Sequence, residues 1–309
     1  MSKIAFVFPG QGSQTVGMGK DLYDNFSIAK ETYEKACDIL NFDLIKLCFE
    51  GPIEELTKTE NAQPAILTTS IAAYQVLKEK GISPFVCAGH SLGEYSAYVA
   101  AGWLTFEDGV NAVRQRGLAM AGADPEGVGT MAAILGLDDS LVKEACEQAS
   151  ASGIVVPANF NSPSQVVISG DKSGVKKAME LADEKGAKIV KELVVSGAFH
   201  SPLMEKAVEK FREVISSIEI QDGNYPVIAN VSADKVAKDG IKESLVKQMT
   251  SSVQWTESVK KMISMGVDTF IEVGSGKVLQ GLIRAIDKGP ARLGVSDGAS
   301  LEKTLEKLK

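Results

Sequence analysis

The sequence predicts an α/β protein in which helices cover both faces of a parallel sheet and a smaller α/β unit is inserted. Short apolar runs such as Lys3–Phe8 and Phe85–Gly89 are typical of buried strands, and helical patterns follow them. Strands that alternate with helices favour a parallel sheet. The second observation is the order of predicted elements between residues 130 and 195, which is β-α-β-β-α-β. The length of 309 residues leaves room for two domains.

The first part of the large unit follows from apolar runs and their end signals. Lys3–Phe8 is a continuous apolar strand that stops at Pro9. A mostly apolar helix and a second strand come next, and two more helices follow. We predict these elements over Ala65–Lys80, Phe85–Gly89, Glu94–Ala101 and from Thr105, as a capping residue, to Ala121.

The middle of the chain predicts a small domain with the order of a ferredoxin-like unit. Its elements are Thr130–Leu135, Asp138–Ala149, Ile154–Asn159, Gln165–Ser169, Ser173–Lys185 and Lys188–Val195. The α/β pattern resumes after His200, where Ser201 and Pro202 resemble the start of a helix that runs to about Ile218, and Val227–Val231 and Thr269–Val273 are later strands. We therefore predict a discontinuous large domain, residues 1–125 and 197–309, and a small domain, residues 126–196.

Composition and charge exclude several classes of protein. Lys and Arg number 33 against 40 Asp and Glu, so the net charge of −7 disfavours general nucleic-acid binding. The four cysteines are scattered without a CxxC pair, so neither a zinc site nor a redox dithiol is indicated. No apolar stretch is long enough for a membrane span, and the N-terminus lacks the pattern of a signal peptide. We expect a cytoplasmic protein that binds neither membrane nor nucleic acid.

The segment Gly89-His90-Ser91-Leu92-Gly93 fits the G-x-S-x-G nucleophile elbow. A sharp turn between a strand and a helix would expose the Ser91 hydroxyl, and the flanking glycines would leave room for the tight backbone. The N–H of Leu92, at the helix start, would point at a developing oxyanion. The apolar strand before the motif and the helix after it favour a catalytic serine over an ordinary loop.

A serine nucleophile needs a base, and the sequence has only two histidines, His90 and His200. Side chains alternate across a strand, so His90 should point away from the Ser91 hydroxyl and serve local packing or hydrogen bonding. His200 precedes a predicted helix, whose positive end would favour the neutral imidazole that a general base requires. The third member of a triad is not evident, because no carboxylate between the two residues stands out; a backbone carbonyl is the alternative.

A glycine-rich loop, Phe8–Gln14, follows the first strand. It matches neither the Walker A pattern nor G-x-G-x-x-G. Gln11 in this loop would offer an amide donor at the carboxyl end of a strand, where α/β sheets bind ligands. A plain loop is the alternative interpretation.

Taken together, the motifs resemble those of the malonyl-CoA:acyl-carrier-protein transacylases. The matching segments are FVFPGQGSQ (6–14), AQPAI (62–66), GHSLGEYSA (89–97), RQRG (114–117), ANFNSP (158–163), GAFHSPLM (197–204), SVQW (252–255) and EVGSGKVL (272–279). They occur in order over nearly the whole chain. One departure is the serine before Val253, where many relatives have proline.

The resemblance implies an α/β-hydrolase-like large domain with an inserted ferredoxin-like domain, and it implies roles for individual residues. Ser91 would be the acylated nucleophile and His200 its base, and Gln11 and the Leu92 N–H would be the oxyanion donors. Arg116 would bind the malonyl carboxylate, which the residues alone cannot decide because Arg114 is an equal candidate. A carbonyl near Gln248 would orient His200. Asn159 would line the site, and Phe199 and Met120 would narrow it.

The implied activity is the ping-pong transfer of malonyl from CoA to the phosphopantetheine thiol of acyl carrier protein, for fatty-acid biosynthesis. The expected partners are malonyl-CoA and acyl carrier protein; no cofactor or metal is implied, and we expect a monomer. Lysines of the small unit (Lys172, Lys176, Lys177, Lys185, Lys188 and Lys191) form either a docking face for an acidic carrier or an ordinary solvated surface. The alternatives are a polyketide acyltransferase, a serine thioesterase or esterase, and an inactive carrier-binding module.

Overall fold

The computed structural model describes residues 2–124 and 126–309. The strands are β1 (Ile4–Phe8), β2 (Val86–Gly89), β3 (Gly129–Leu135), β4 (Val155–Ser162), β5 (Gln165–Asp171), β6 (Ile189–Glu192), β7 (Val227–Ile228), β8 (Thr269–Val273) and β9 (Ala291–Val295). The helices are α1 (Lys20–Asn25), α2 (Ser27–Leu40), α3 (Leu44–Glu50), α4 (Ile53–Thr57), α5 (Thr59–Glu79), α6 (Gly93–Ala100), α7 (Phe106–Ala121), α8 (Asp139–Ala149), α9 (Lys172–Glu184), α10 (Glu205–Ser217), α11 (Ile241–Lys247), α12 (Trp255–Ser264), α13 (Val278–Ile286) and α14 (Gly298–Leu308).

The larger sheet has five parallel strands in the order β7-β2-β1-β8-β9. Its central strand β1 is apolar on both sides: Phe6 and Phe8 belong to one buried cluster, and Ala5 and Val7 belong to another. A strand buried on both faces needs a continuous apolar run rather than an alternating one. The predicted parallel sheet is confirmed.

The smaller sheet has four antiparallel strands in the order β4-β5-β3-β6. Its elements follow one another as β3-α8-β4-β5-α9-β6, which is the predicted order. Ala132 and Ile134 pack on the side of α8 and α9, whereas Met131 and Val167 join the large cluster that includes α5, α6 and α7. The second face of this sheet therefore lies over the larger unit.

Several predicted elements differ in extent. Strand β4 continues to Ser162, β6 ends at Glu192, and α5 and β7 show the physical reason for their difference. Helix α5 begins at Thr59 and contains Pro64, although the sequence predicted a start at Ala65. Proline lacks the N–H that would bond to the carbonyl four residues earlier, that of Glu60. Arg114 supplies the missing donor, since its Nη1 lies 2.7 Å from that carbonyl. Strand β7 ends at Ile228 instead of Val231, because the chain turns back and the Ala229 N–H bonds to the Asp234 carbonyl.

Other elements had no clear signal in the sequence. Helices α1 to α4 and α11 to α14 were not predicted, and neither was β9, a half-exposed strand at the sheet edge. Within residues 2–124 and 126–309, every helix is too short or too polar to cross a bilayer.

The turn from β2 to α6 depends on close backbone packing at two glycines. A Cβ at Gly89 would lie 1.9 Å from the backbone carbon of Gly93, and a Cβ at Gly93 would lie 2.1 Å from the Phe8 carbonyl oxygen. Neither contact is sterically possible, so both positions require glycine. This is the physical reason for the glycines of the G-x-S-x-G motif.

We predict that Gly89→Ala lowers the free energy of unfolding by about 3 kcal/mol, because strand and helix must move apart to admit the methyl group. Urea unfolding followed by circular dichroism measures the change. The matched control is Gly281→Ala, at an exposed helical position with no atom within 4 Å of the added Cβ. That variant should gain up to about 1 kcal/mol. Equal stability of the two variants would contradict the packing argument.

Candidate active site

Ser91 lies between β2 and α6 with a backbone φ of 50°. This left-handed conformation costs a non-glycine residue about 1–3 kcal/mol and persists only when its surroundings hold it. Asn230, which follows β7, supplies that support. Its Oδ1 accepts the Ser91 N–H at 2.7 Å, and its Nδ2 donates to the Gly89 carbonyl at 2.6 Å. The sharp turn predicted at Ser91 is thus present, and Asn230, which follows the neighbouring strand β7, holds it in place.

His200 lies within hydrogen-bond distance of Ser91, with its Nε2 at 2.7 Å from the Ser91 Oγ. The other ring nitrogen, Nδ1, is 2.8 Å from the backbone carbonyl of Gln248 and 3.2 Å from that of Ser251. Carbonyls only accept, so Nδ1 carries the proton and Nε2 is free to accept one from the hydroxyl. The carbonyl at Gln248 occupies the place where a triad would have a carboxylate.

The His200 imidazole is neutral. Burial lowers its pKa to about 3, and the positive charge of Arg116 acts in the same direction. The sequence analysis attributed a neutral His200 to the start of the following helix. Ser201 does cap a short 3-10 turn, Pro202–Met204, that leads into α10. Burial and the neighbouring guanidinium are nevertheless the main causes of the lowered pKa.

His90 takes no part in the Ser91–His200 pair. Its Nε2 is 2.7 Å from Asn161 Oδ1, and its ring centroid is 5.7 Å from that of Trp255. Burial lowers the pKa of His90 as well. The expectation that this histidine serves packing and hydrogen bonding agrees with these contacts.

Arg116 is buried beside the nucleophile, with 1% of its surface exposed. Its Nη1 donates to Gln63 Oε1 at 2.8 Å, and its Nη2 donates to Gln248 Oε1 at 2.9 Å and approaches Ser91 Oγ at 3.3 Å. Among residues 2–124 and 126–309, Arg116 forms no ion pair, and its Nε has no hydrogen-bond partner. A buried guanidinium held by neutral groups is suited to receive an anion.

From the residues alone, Arg114 and Arg116 were equal candidates for binding a carboxylate. The structure distinguishes them by their hydrogen-bond partners. Arg114 donates to the Glu60 carbonyl and to Asn61 Oδ1, and its guanidinium lies over the Phe42 ring. It therefore stabilises α5 and does not reach the nucleophile. Gly117 allows α7 to approach α5 closely, since a Cβ there would lie 2.6 Å from Glu60 Cα.

Ser91, His200 and Arg116 open into one cavity of about 380 Å³ between the two sheets. Of the other residues predicted for the site, Gln11, Leu92, Met120, Asn159 and Phe199 line it as well. Gln248 lies behind the wall and acts through its contacts to His200 and Arg116. The small sheet contributes Met131 and Val167, and α13 contributes Val278 and Leu279.

The polar atoms of Gln11, Asn159 and Met120 differ in their hydrogen-bond partners. The Gln11 Oε1 accepts from the Thr59 hydroxyl at 2.8 Å, which fixes the glutamine side chain at the rim. The Asn159 Oδ1 is buried and has no hydrogen-bond partner in the described part of the chain. Gln63 Nε2 donates a hydrogen bond to the Met120 sulfur at 3.4 Å. In the described ranges, no group of three or more His, Cys, Asp and Glu side chains is placed to hold a metal ion.

The sequence analysis missed three residues that hold the site: Gln63, Glu94 and Asn230. Gln63 and Glu94 lie inside segments that carry the family resemblance, but no residue pattern assigned them a role. Asn230 had no signal, since its contacts depend on the pairing of β7 with β2. Lys176 and Lys177 lie on α9, on the face of the small sheet opposite the cavity.

Comparisons with known proteins agree with this geometry. The model of the acyl transferase domain family matches residues 5–301. The malonyl CoA-acyl carrier protein transacylase of Bacillus subtilis is 51% identical over 311 residues, which cover 100% of this chain and 98% of the relative. The acyl carrier protein S-malonyltransferase structure from Vibrio cholerae matches with a TM-score of 0.95 at 43% identity, over 98% of this chain and 100% of that one.

Another solved structure is a malonyl-transacylase in complex with its type II PKS acyl-carrier protein. It matches with a TM-score of 0.96 at 42% identity, over 99% of this chain and 100% of that chain. Family match, full-length identity and fold all lead to one assignment: this chain belongs to the acyl transferase family and, within it, to the malonyl-CoA:acyl-carrier-protein transacylases.

Proposed function

We propose that this chain transfers the malonyl group of malonyl-CoA to the phosphopantetheine thiol of an acyl carrier protein through an ester on Ser91. The observation that carries the proposal is the position of Arg116, whose Nη2 lies 3.3 Å from the nucleophilic Ser91 Oγ in a buried site. A serine and a neutral histidine suit any acyl transfer. A buried guanidinium at this distance suits an acyl group that ends in a carboxylate.

The first half-reaction acylates the enzyme. Ser91 Oγ attacks the thioester carbonyl carbon while its proton passes to His200 Nε2, over a separation of 2.7 Å. The N–H groups of Leu92 and Gln11 stabilise the oxyanion of the tetrahedral intermediate. The C–S bond then breaks, and the CoA sulfur takes the proton from His200. The product is malonyl-Ser91 and free CoA.

The second half-reaction repeats these steps with a different thiol. The phosphopantetheine thiol of the carrier protein gives its proton to His200 and attacks the ester carbonyl. The C–O bond to Ser91 breaks, and Ser91 Oγ takes the proton back. The substrates, Ser91 and His200 supply every proton and electron pair in both halves, so the proposal requires no cofactor and no metal.

The walls of the cavity define the accepted acyl group. Arg116 forms two parallel hydrogen bonds with the malonyl carboxylate, whereas an acetyl group leaves the guanidinium without an anion. Met120 and Phe199 are buried and narrow the space around the malonyl methylene. Asn159 lines the same cavity.

We further infer an α/β-hydrolase-like large domain, residues 1–125 and 197–309, with a ferredoxin-like insert, residues 126–196. The strand orders of the two sheets and the βαββαβ order of the insert support this division.

A cytoplasmic location is supported by the four free cysteines, which suit a reducing compartment. We also propose that the chain acts as a monomer and that its product supplies fatty-acid synthesis.

The direct test is the intact-protein mass after brief mixing with malonyl-CoA in the absence of carrier protein. We expect the wild-type mass to rise by one malonyl group and the Ser91→Ala mass to stay unchanged, because the alanine has no nucleophilic oxygen. Addition of a holo carrier protein should then remove the adduct. Release of free malonate in place of an adduct would instead identify a hydrolase.

We predict that Arg116→Ala reduces the acylation rate with malonyl-CoA by about 100-fold or more, because the carboxylate loses its charged partner. Acylation by acetyl-CoA should fall much less, so the ratio of the two rates measures the effect. The matched control is Arg114→Ala, which lies two residues away on the same helix and contacts Glu60 and Asn61 instead of the cavity. Equal losses with both acyl donors would show that Arg116 does not bind the carboxylate.

A further inference from the structure

Glu94 is a fully buried carboxylate that the mechanism above does not use. It lies in the first turn of α6, three residues after the nucleophile, and none of its surface is exposed. One oxygen, Oε2, accepts from Gln248 Nε2 at 2.6 Å and from the Asn230 N–H at 3.1 Å. The other oxygen has no partner among the described residues. Because burial of a carboxylate costs free energy, the presence of Glu94 next to the active site points to a role there.

The acceptors around Gln248 Nε2, of which Glu94 is the nearest, decide which end of that amide faces Arg116. Gln248 Nε2 donates to Glu94 Oε2 and, at 3.0 Å, to the Ser91 carbonyl. Both partners are acceptors, so the NH2 group must lie on their side. The Oε1 atom is thereby directed at Arg116 Nη2, 2.9 Å away. A flipped amide would place its NH2 group against the guanidinium, where donor would face donor.

The contact to Asn230 links the same carboxylate to the nucleophile. Glu94 holds the backbone N–H of Asn230, and the Asn230 side chain bonds to the Ser91 N–H and the Gly89 carbonyl. The Oε2 atom of Glu94 is therefore the starting point of two branches of a hydrogen-bond network. The first branch leads through Gln248 to Arg116, and the second leads through Asn230 to Ser91.

We propose that Glu94 is a positioning residue for malonyl selectivity: its carboxylate fixes the Gln248 amide, and the amide fixes the Arg116 guanidinium against the malonyl carboxylate. This inference rests on the proposed function. It assigns Glu94 no contact with substrate and no proton transfer. Its role is that of a hydrogen-bond acceptor with a fixed position.

The ionisation state of Glu94 sets the conditions for a test. Burial raises its pKa to about 7, whereas its two hydrogen bonds and the charge of Arg116 act in the opposite direction. Assays at about pH 8 therefore compare variants with an ionised Glu94. Glutamine at this position keeps an acceptor oxygen for both donors and removes the charge. Methionine has a similar length and keeps no such acceptor.

The experiment measures second-order rate constants for Ser91 acylation by malonyl-CoA and by acetyl-CoA. We expect Glu94→Met to lower the malonyl-to-acetyl ratio by about tenfold or more, because the Gln248 amide loses the nearest of its acceptors. Glu94→Gln should stay within about threefold of the wild-type ratio. A loss of folded protein lowers both rate constants together, so the ratio isolates positioning from stability. An unchanged ratio in Glu94→Met, or an equal loss in Glu94→Gln, would overturn the proposal.

A second variant keeps the proposal testable if Glu94→Met does not fold. Gln248→Met removes the side-chain amide and leaves the backbone carbonyl that holds His200. It should lower the ratio at least as much, and the double variant with Glu94→Met should lower it no further, since both changes break one branch. Additive losses would overturn the proposal. A wild-type enzyme without malonyl preference would instead contradict the proposed function itself.

Discussion

The burial of the Arg116 guanidinium beside Ser91 and His200 is the constraint on which the rest of the site depends. A cation in a water-excluded position needs hydrogen-bond acceptors, and here the side-chain oxygens of Gln63 and Gln248 provide them. Both are neutral, so the positive charge remains available to a substrate anion. The same charge helps to keep His200 unprotonated. In the proposed function, this one residue both selects the acyl group and lowers the pKa of His200.

In the described part of the chain, backbone carbonyls and no carboxylate lie behind His200, which is compatible with this constraint. An anion next to His200 Nδ1 would raise the pKa of the imidazole and would attract the nearby guanidinium away from the malonyl carboxylate. The backbone carbonyl of Gln248 fixes the tautomer at 2.8 Å without adding a negative charge. The side chain of the same residue contacts Arg116, so Gln248 ties the orientation of the base to that of the guanidinium.

Local features of the site could be predicted from sequence, and features that depend on packing could not. The elbow at Ser91 has a sequence motif because two glycines must tolerate contacts that exclude a Cβ. Arg114 and Arg116 both donate to residues of α5, Arg114 to the Glu60 carbonyl and Arg116 to the Gln63 side chain, but of the two only Arg116 also reaches Ser91. This difference depends on how α7 packs against α5 at Gly117. A backbone carbonyl such as that of Gln248 has no residue signature at all. The same limit explains the misplaced start of α5, where a proline that usually ends helices is accommodated by an arginine from another helix.

The most direct test of this account is a ¹⁵N NMR titration of the histidine ring nitrogens. The chain has two histidines, and a His90→Gln variant assigns the signals of His200. A lowered pKa means that the neutral form persists as the pH falls through the ordinary histidine value of about 6.5. With a pKa of about 3, the His200 ring should remain neutral, with the proton on Nδ1, at about pH 5. A titration midpoint near 6.5, or a proton on Nε2 of the neutral ring, would contradict the account.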